Sequence, residues 1–596
     1  MTVHFGAWTL GLERGEPPAR DLIGGKAWSV ARMLSLGLNT PPAFVVTTDA
    51  CAAYLSGGDL PQGLEAEILA GVTWLESATQ RNFGGGPRPL LVSVRSGAPI
   101  SMPGMMDTVL NLGINDATES ALCAECGDPA FARDVHRRFL DLYGRIVLKS
   151  GDFELHPSEG PASWRTGLAA AAGAPVPDDV VEQLRAAVRA VFESWNSRRA
   201  RRYRQHHGIA DSLGTAVTVQ AMVFGNFDDR SGTGVLFSRN PLTGEAAPYG
   251  EYLARAQGED VVSGKFTPRP LAALAASLPE AHDTLLSAAV KLERAGRDVQ
   301  DIEFTIDCGR LYFLQSRAAK LAPGAAVRIA VDLVREGVID ESEALRRVTP
   351  EQVRLLLSPH LAEETIWTAK LLASGEGASP GVGIGIVVDN SDEAERRARA
   401  GEAVILVRAT TSPEDLHGMI AARAVVTELG GSTSHAAVVG RALGLPCAIG
   451  CGAGALAGLI GKVVTVDGRL GKVFQGALPV ETPNENDNAL LAVLAKWAAK
   501  RSPLRVLPPG APGAVDAVDL SGVDAAADPE RIGDVISALK PAKGARGGSI
   551  ASAEGVRAAI AAGLDFIVAD PVLPALLQAA RMTLETIPAS KQKESL

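Results

Sequence analysis

The stretch ELGGSTSHAAVVGRALGLPCAIG, residues 428–450, leads through two glycines and three hydroxyl residues to a single histidine, His435. The residues after the histidine are apolar and rich in Ala and Val, which is typical of a helix. Ser432, Thr433 or Ser434 is therefore expected to cap this helix, because hydroxyl side chains accept hydrogen bonds from the free N–H groups of a first turn.

Two interpretations of His435 follow from this pattern. In the structural one, the imidazole only fills the first turn of the helix. In the chemical one, it is a nucleophile that becomes phosphorylated, because a phosphoryl group just before a helix start meets free N–H groups and the positive end of the helix dipole. Gly430 and Gly431 would then let the backbone approach the phosphate closely. The motif alone leaves both interpretations open.

Length and composition narrow the class of protein. A chain of 596 residues predicts three or four domains, and 46% hydrophobic with 21% charged residues is typical of a globular protein. The net charge of −10 argues against a nucleic-acid-binding protein. The arginine-rich segment RRARRYR, residues 198–204, is interpreted as a solvated or salt-bridged helix face.

Targeting and redox signals are weak in this sequence. The N-terminal residues MTVHFGAWTLGLERGE lack the basic and apolar parts of a signal peptide, and no segment reaches about 18 uninterrupted apolar residues. We therefore expect no membrane span and a cytoplasmic location. Cys123 and Cys126 form a C-x-x-C pair without a second pair, which favours reduced structural thiols over a zinc site.

The segment DIEFTIDCGRLYFLQSR, residues 301–317, has the alternation of a β-hairpin. A three-residue loop at 308–310 would place Glu303 opposite Gln315 and Asp301 opposite Arg317, with Phe304 facing Leu314 and Ile306 facing Tyr312 on the apolar side. The polar face of this hairpin offers carboxylate and amide oxygens as ligands for Mg²⁺ and the guanidinium of Arg317 for phosphate. A surface hairpin with one salt bridge explains the same pattern.

Two further cations favour a polyphosphate site. Lys26 follows Gly24 and Gly25 at a predicted helix start, and Arg95 ends a predicted strand before a Gly/Pro/Met-rich loop. Neither surrounding sequence fits the G-x-x-x-x-G-K-[ST] or G-x-G-x-x-G motif, so a P-loop or dinucleotide-binding fold is disfavoured.

Several long motifs together resemble the pyruvate, phosphate dikinase family, from about residue 20 to 480 and in the same order. They are VSVRSGAPISMPGMMDTVLNLG, FESWNSRRARRYR, GTAVTVQAMVFGN, SGTGVLFSRNPLTGE, GEYLARAQGEDVVSG, DIEFTIDCGRLYFLQSR and GGSTSHAAVVGRALG. The resemblance implies a multidomain α/β and α+β fold, in which an ATP-grasp nucleotide-binding unit is joined to a swivelling β/β/α phosphohistidine domain.

The resemblance also implies roles for individual residues. His435 matches the histidine that carries the phosphoryl group, with Gly430, Gly431, Thr433, Ser434 and Arg408 around it. The residues that match the nucleotide contacts of the family are Lys26, Arg95, Asp301, Glu303, Gln315 and Arg317, of which Glu303 and Gln315 also match its magnesium contacts. ATP and Mg²⁺ are the implied cofactors. Thr433 matches a threonine that is phosphorylated for regulation in plant relatives.

The implied domains are a nucleotide-binding unit (1–340), a helical linker (341–373), the phosphohistidine domain (374–488), and a linker with a short remnant (489–596). In the family, a (β/α)₈ barrel that binds pyruvate and phosphoenolpyruvate takes the last place and needs about 250 residues. We therefore expect the ATP half-reaction here, in which ATP and inorganic phosphate phosphorylate His435 and give AMP and pyrophosphate. Onward transfer to pyruvate would then need a partner.

Departures from the family keep other functions open. Ser432 stands where the family usually has Met, and Thr410 stands where it has Glu. One alternative is a kinase of another small molecule, similar to rifampin phosphotransferase or phenylphosphate synthase. Another is a non-catalytic nucleotide sensor that docks a partner protein. A separate barrel-type subunit or a small molecule would serve as acceptor, and the resemblance is compatible with a homodimer. We expect neither nucleic acid nor membrane as a partner.

Overall fold

The computed structural model describes the residues 3–100, 102, 106–151, 153–262, 266–357, 360–443, 445–481, 483–521, 523–527, 530–538 and 542–586. We name four parts by their residues. The N-terminal unit comprises 3–318, the helical segment 323–368, the histidine domain 371–475 and the C-terminal unit 489–586.

The N-terminal unit begins with a six-stranded antiparallel sheet in the order β1-β2-β3-β8-β6-β7. Its strands, with the short β4–β5 pair, are β1 (Val3–His4), β2 (Thr9–Gly11), β3 (Ala43–Val46), β4 (Asn82–Phe83), β5 (Pro89–Leu90), β6 (Val92–Gly97), β7 (Thr108–Leu112) and β8 (Ala216–Ala221). The helices are α1 (Arg20–Ser35), α2 (Thr48–Gly57), α3 (Leu64–Thr79), α4 (Asp116–Cys126), α5 (Pro129–Tyr143), α6 (Pro161–Ala172), α7 (Val180–Ser194) and α8 (Arg198–His207).

A second antiparallel sheet of five strands completes the unit, in the order β11-β10-β9-β12-β13. Its elements are β9 (Gly232–Phe237), β10 (Tyr249–Ala254), α9 (Gly258–Val262), β11 (Arg269–Pro270), α10 (Ala272–Ser277), α11 (Pro279–Gly296), β12 (Gln300–Asp307) and β13 (Arg310–Ala318). Buried side chains of α1, such as Ile23, Ala27 and Val30, share one apolar core with Phe304 and Phe313 of this sheet. Helix α1 therefore packs against both sheets, and this packing fixes the position of the side chains on its remaining face.

The predicted hairpin at 301–317 is confirmed, and its polar pairs are Asp301 with Arg317 and Glu303 with Gln315. The predicted loop and apolar pairs are wrong. The turn has two residues, Cys308 and Gly309, both at positive φ as a type I′ turn requires.

A register shift after Glu303 reconciles the two results. Phe304 pairs with Phe313 and Ile306 with Leu311, so Leu314 lies at an irregularity of the ladder. A β-bulge inserts one residue on one strand, and this restores the polar pairs that a two-residue turn alone would have displaced.

The histidine domain is an eight-stranded mixed sheet in the order β15-β22-β21-β17-β18-β19-β20-β16. Strands β17 to β20 are parallel, which is why helices connect them. The elements are β15 (Leu371–Ser374), β16 (Glu376–Ser379), β17 (Val382–Val388), α16 (Ser391–Arg399), β18 (Val404–Arg408), α17 (Leu416–Ala421), β19 (Ala424–Thr427), α18 (His435–Leu443), β20 (Cys447–Ile449), β21 (Val463–Asp467) and β22 (Lys472–Gln475). The sheet starts at Leu371, three residues before the predicted boundary at 374.

The helical segment precedes the histidine domain, and a two-stranded sheet is formed by one strand before that domain and one strand after it. The segment contains α12 (Pro323–Arg335), α13 (Glu341–Arg347), α14 (Pro350–Leu356), β14 (His360–Leu361) and α15 (Glu363–Thr368). Strand β14 pairs with β23 (Val480–Glu481) on the other side of the domain. The chain therefore enters and leaves the histidine domain through two adjacent strands.

The C-terminal unit is a four-stranded parallel sheet in the order β24-β27-β26-β25. Its elements are α19 (Ala489–Arg501), β24 (Arg505–Leu507), β25 (Ala517–Asp519), α20 (Asp524–Ala527), α21 (Ile532–Ser537), β26 (Gly544–Arg546), α22 (Ala553–Ala562), β27 (Phe566–Val568) and α23 (Val572–Thr586). Within the predicted linker and remnant (489–596), the Pro/Gly-rich segment 502–518 contains β24 and the start of β25 and is therefore part of the sheet. Ala514 of its Pro/Gly-rich turn packs on Phe566 and Val568.

The C-terminal unit and the helical segment share one apolar core. Val331 of α12, Val353 of α14, Leu494 of α19 and Leu577 of α23 all belong to it. Helix α12, which the predicted boundary at 340 assigned to the nucleotide-binding unit, therefore packs with the C-terminal unit. Within the described ranges, no helix combines the length and apolar character needed to cross a bilayer.

Candidate active site

A kink in α1 places Lys26 between the two sheets of the N-terminal unit. Gly24 leaves the helical conformation at φ 72° and ψ 166°, and Gly25 donates its N–H to the carbonyl of Ala98 at 2.9 Å. A Cβ on Gly24 would lie 1.7 Å from the carbonyl oxygen of Gly97, so only glycine fits there. The helix resumes after this contact, and Lys26 lies in its first turn, as the sequence predicts.

Arg95 of β6 joins the first sheet to the hairpin of the second. Its Nη2 lies 3.3 Å from Oε2 of Glu303 and 3.3 Å from Oε1 of Gln315. On the same hairpin, Arg317 Nε donates to Asp301 Oδ2 at 2.8 Å. Two oxygens from adjacent strands thus converge on a single cation. We call Lys26, Arg95, Asp301, Glu303, Gln315 and Arg317 the cleft cluster.

Charge in the cleft cluster is dense and only partly balanced. Burial, together with the positive charge of Arg95, lowers the pKa of Lys26 to about 7. Burial alone would raise the pKa of Glu303, but the neighbouring cations Arg95, Arg317 and Lys26 hold it below its ordinary value. Lys26 has no ion-pair partner among the residues that the structure describes. The cluster is therefore suited to an incoming polyanion.

His435 is the first residue of α18, as predicted, and is largely buried. Its Nδ1 lies 3.2 Å from Oγ1 of Thr411. Burial lowers the pKa of the imidazole below 6.5, and the nearby carboxylates of Asp415 and Glu414 only oppose this effect. The ring is therefore neutral at physiological pH, and a neutral imidazole carries the lone pair that a nucleophile needs.

Two polar atoms beside the helix start are buried without a hydrogen-bond partner among the described residues. They are Nε2 of His435 and Oγ of Ser434. Buried polar atoms are normally satisfied, so orphaned ones indicate a group that binds there. Arg408 lies at the end of the neighbouring strand β18, where its Nε is 3.2 Å from Oδ1 of Asp415.

The loop before His435 contacts the N-terminal unit. Glu251 of β10 accepts hydrogen bonds from Ser432 Oγ at 3.1 Å and from Thr433 Oγ1 at 2.7 Å. A Cβ on Gly431 would lie 2.6 Å from the same carboxylate, so this glycine allows a close approach to Glu251. The hydroxyl of Tyr249, on the same face of β10, donates to Glu376 Oε1 of the histidine domain at 2.6 Å.

Further contacts join the two parts beside the cleft. Arg199 of α8 lies 3.6 Å from Glu414 of the histidine domain and also pairs with Asp107. Burial lowers the pKa of Arg441 on α18, and the negative charge of Asp301, in the cleft cluster, opposes this effect. The histidine domain is therefore docked at the cleft in this structure.

Comparison with known proteins identifies these two parts. The AMP/ATP-binding domain of pyruvate phosphate dikinase matches residues 20–78 and 57–277, and the mobile domain of PEP-utilising enzymes matches residues 400–471. The pyruvate, phosphate dikinase of Clostridium symbiosum is 41% identical over 535 residues, which cover 84% of this chain and 61% of that protein.

The chain contains the ATP-binding domain and the mobile domain that are found in pyruvate, phosphate dikinases.

Other relatives agree with this assignment. Pyruvate, phosphate dikinase 2 of Zea mays is 42% identical over 540 residues, covering 85% of this chain and 60% of that protein. The pyruvate, phosphate dikinase of Rhizobium meliloti is 43% identical over 541 residues, covering 83% and 60%. The chain thus spans about 60% of the length of the curated relatives it matches. Its N-terminal unit is of the ATP-grasp type, and its histidine domain is the mobile domain of the family.

Sequence reasoning missed the residues that join these two family domains. Glu251 lies in the motif GEYLARAQGEDVVSG and Tyr249 immediately precedes that motif, but no role was predicted for either. Their spacing of two on a strand places both side chains on one face, which is the signal that could have found them. Thr411, whose Oγ1 lies beside Nδ1 of His435, was also not predicted, whereas its neighbour Thr410 was singled out as a departure from the family.

The cleft cluster also fits the Mg²⁺ that the resemblance implies. Glu303 Oε2 and Gln315 Oε1 already converge on a cationic nitrogen, and carboxylate and amide oxygens are the ligands that Mg²⁺ prefers. Within the described residues, no group of three or more His, Cys, Asp and Glu side chains could hold a metal. A magnesium ion here would complete its shell with phosphate oxygens and water.

Proposed function

We propose that this chain transfers the β-phosphoryl group of ATP to His435, with the γ-phosphoryl group going to inorganic phosphate. The products would be AMP and pyrophosphate. One observation carries the proposal: the loop that contains a neutral His435, with its Nε2 unpartnered, is docked on the N-terminal unit beside the cleft cluster.

The cleft cluster would bind and orient the nucleotide. Lys26 and Arg95 would contact phosphate oxygens, and the pKa of Lys26 would rise again once a polyanion is beside it. Glu303 and Gln315 would hold Mg²⁺, which supplies charge neutralisation to the phosphates when bound. Asp301 would hold the Arg317 fork through their ion pair. Catalysis of this kind is mainly positioning and electrostatic stabilisation.

At the loop, Nε2 of His435 would attack the β-phosphorus. A bond from Nε2 to phosphorus forms, the bond from that phosphorus to the oxygen bridging to AMP breaks, and AMP leaves a pyrophosphoryl group on the histidine. An oxygen of inorganic phosphate would then attack the γ-phosphorus. The bond from the γ-phosphorus to the oxygen bridging to the β-phosphorus breaks, pyrophosphate leaves, and the β-phosphoryl group stays on Nε2. The proton on Nδ1 would point to Thr411 Oγ1, which fixes the tautomer. The unpartnered hydroxyl of Ser434, the α18 N-terminus and Arg408 would hold the phosphoryl group on the histidine. We propose that Thr433 helps to dock the loop through its hydrogen bond to Glu251. Phosphorylation of Thr433 for regulation remains a prediction.

The onward acceptor is also part of the proposal. The relatives are named for pyruvate, so pyruvate is the first acceptor to test, with another small molecule as the alternative. It remains a prediction that a separate barrel-type subunit supplies the pyruvate site. The cytoplasmic location also remains a prediction.

A label-transfer assay tests the proposed half-reaction. ATP labelled on the β-phosphorus is incubated with the chain, with and without inorganic phosphate. We expect acid-labile label on the wild type and none on His435→Ala. His417→Ala is the matched control, because His417 lies in the same domain and pairs with Asp392 instead. It should be labelled like the wild type.

The same assay separates the alternatives. Pyrophosphate released only in the presence of phosphate supports the dikinase half-reaction, whereas release of the γ-phosphoryl group as inorganic phosphate when none is added indicates that water accepts it. An unlabelled wild type that still binds ATP would favour the sensor interpretation and contradict the proposal. Label that moves from the protein to added pyruvate would show that no partner is needed.

A further inference from the structure

Strand β10 of the N-terminal unit presents Tyr249 and Glu251 to the histidine domain, and the hydroxyl groups of the histidine loop contact both, since Ser432 hydrogen-bonds to Tyr249 as well as to Glu251. Glu251 accepts from those hydroxyls, whereas Tyr249 donates to a carboxylate, that of Glu376 on β16. At 2.6 Å, the bond from Tyr249 to Glu376 is as short as a hydroxyl–carboxylate hydrogen bond is expected to be.

The ring of Tyr249 is held firmly on its own side of this contact. It packs in an apolar cluster with Val235, Phe237 and Val261, and its centroid lies 6.4 Å from that of Phe237. Little rotamer freedom remains to be lost when the histidine domain arrives. The hydroxyl therefore presents a fixed donor on the surface of the N-terminal unit.

Glu376 is connected in turn to the histidine loop. Burial raises the pKa of Glu376, and the Tyr249 hydroxyl, the positive charge of Arg441 and the backbone N–H of Ser432 oppose this effect. Arg441 donates to the carbonyl of Ser432 at 2.9 Å and to that of Ala378 at 3.2 Å, which ties β16 and the loop together. A change at Tyr249 is thus transmitted to the residues just before His435.

The Tyr249 donor offsets an unfavourable like-charge interaction at the interface. Glu376 and Glu251 come from opposite sides of the interface. Burial raises the pKa of Glu376, and the negative charge of Glu251 adds to this effect. Two carboxylates brought together repel each other unless donors lie between and around them. When the histidine domain is docked, the Tyr249 hydroxyl is the donor that the N-terminal unit itself provides to Glu376.

We propose that Tyr249 is a positioning residue, whose hydrogen bond to Glu376 sets the docked position of the histidine loop at the nucleotide cleft. The part of this inference that concerns phosphoryl transfer rests on the proposed function. The part that concerns docking does not, because it rests on the contacts that Tyr249 and Glu376 make with each other and with their neighbours.

The test compares Tyr249→Phe with Tyr252→Phe in the full chain. Tyr252 lies on the same strand but faces the apolar core, so its change controls for loss of a tyrosine hydroxyl. Amide hydrogen exchange over 430–434 reports docking, transfer of label from ATP reports phosphorylation of His435, and binding of a non-hydrolysable ATP analogue reports the cleft.

We expect Tyr249→Phe to speed exchange over 430–434 and to slow labelling, each by about tenfold, as for loss of a hydrogen bond to a charged group. Affinity for the analogue should stay within twofold, and Tyr252→Phe should match the wild type in all three measurements. In a double-mutant cycle with Glu376→Ala, the combined variant should be no slower than the slower single variant.

Two results would overturn the inference. One is a Tyr249→Phe variant with wild-type exchange over 430–434. The other is a variant whose slower labelling is fully explained by weaker binding of the analogue. If the wild type itself accepts no label, the proposed function fails, and the exchange comparison alone still decides the docking role of Tyr249.

Discussion

Lys26 in the cleft and His435 in the loop are both basic groups whose pKa is lowered by burial, but their surroundings differ. Lys26 lies among charged side chains, with Arg95 lowering and Glu303 raising its pKa. His435 has a hydroxyl neighbour on one ring nitrogen and an unpartnered second nitrogen. The difference indicates two separate roles. Lys26 can regain its charge when a polyanion binds, as phosphate binding requires, whereas His435 stays neutral and keeps the lone pair that a nucleophile needs.

The strongest test of this division removes the cleft charge. In Lys26→Met the shape of the side chain is kept, but no positive charge can meet the phosphates. We expect the rate of His435 labelling to fall by about 10²- to 10³-fold, as when one preorganised donor to a transition-state charge is lost. The matched control is Lys291→Met on the exposed face of α11, which should label at the wild-type rate. A loss below threefold for Lys26→Met would contradict the assigned role.

A second test uses pH to distinguish the two basic groups. The pKa of Lys26 is about 7 in the free protein and should rise when phosphates bind, so binding at higher pH must take up a proton. Nucleotide affinity should therefore weaken above pH 7 by up to about tenfold per pH unit. Below pH 7 the lysine is already charged, and its contribution levels off. Calorimetry in buffers of different ionisation enthalpy measures the proton uptake.

The contrary outcome in that experiment is a flat affinity profile from pH 7 to 9 with no proton uptake. Lys26→Met should remove the slope, whereas Lys291→Met should keep it. The pH dependence of His435 labelling provides a complementary test. Because its pKa lies below 6.5, the labelling rate at saturating nucleotide should not decline as pH falls from 8 to 6.5.

The sequence could predict the residues of each site better than the geometry that joins them. Strand alternation was enough to pair Asp301 with Arg317 and Glu303 with Gln315, because these contacts are local. It could not predict the bulge near Leu314, since the turn type depends on positive φ at Cys308 and Gly309.

The contacts between domains were beyond sequence reasoning for a different reason. Glu251 meets Thr433 across 182 positions of sequence, and Tyr249 meets Glu376 across 127. No periodic pattern spans such distances, and each residue alone looks like an ordinary half-buried strand position. The parallel sheet of the C-terminal unit was missed in part because the Pro/Gly-rich turn between β24 and β25 resembles a linker.

A third prediction concerns the hydroxyl beside the imidazole. Thr411→Val keeps the volume of the side chain but removes the partner of Nδ1, so the ring loses one constraint on its tautomer and orientation. We expect the labelling rate to fall by about fivefold, the size of a neutral hydrogen bond, with unchanged nucleotide affinity. Thr410→Val is the matched control and should stay within twofold. Equal losses in both variants would mean that Thr411 has no special role.

The smallest expected effect belongs to Ser432, which shares the Glu251 carboxylate with Thr433. The Ser432 bond is the longer of the two, at 3.1 Å against 2.7 Å, and the family resemblance places Met at this position. Ser432→Ala should therefore slow labelling by only about twofold, since one hydroxyl still reaches Glu251. Thr433→Val removes the shorter hydrogen bond to Glu251 and should reduce the labelling rate by more than Ser432→Ala does. If Ser432→Ala were the slower variant, the serine would be the main link between loop and cleft, and this chain would dock its histidine domain differently from its Met-bearing relatives.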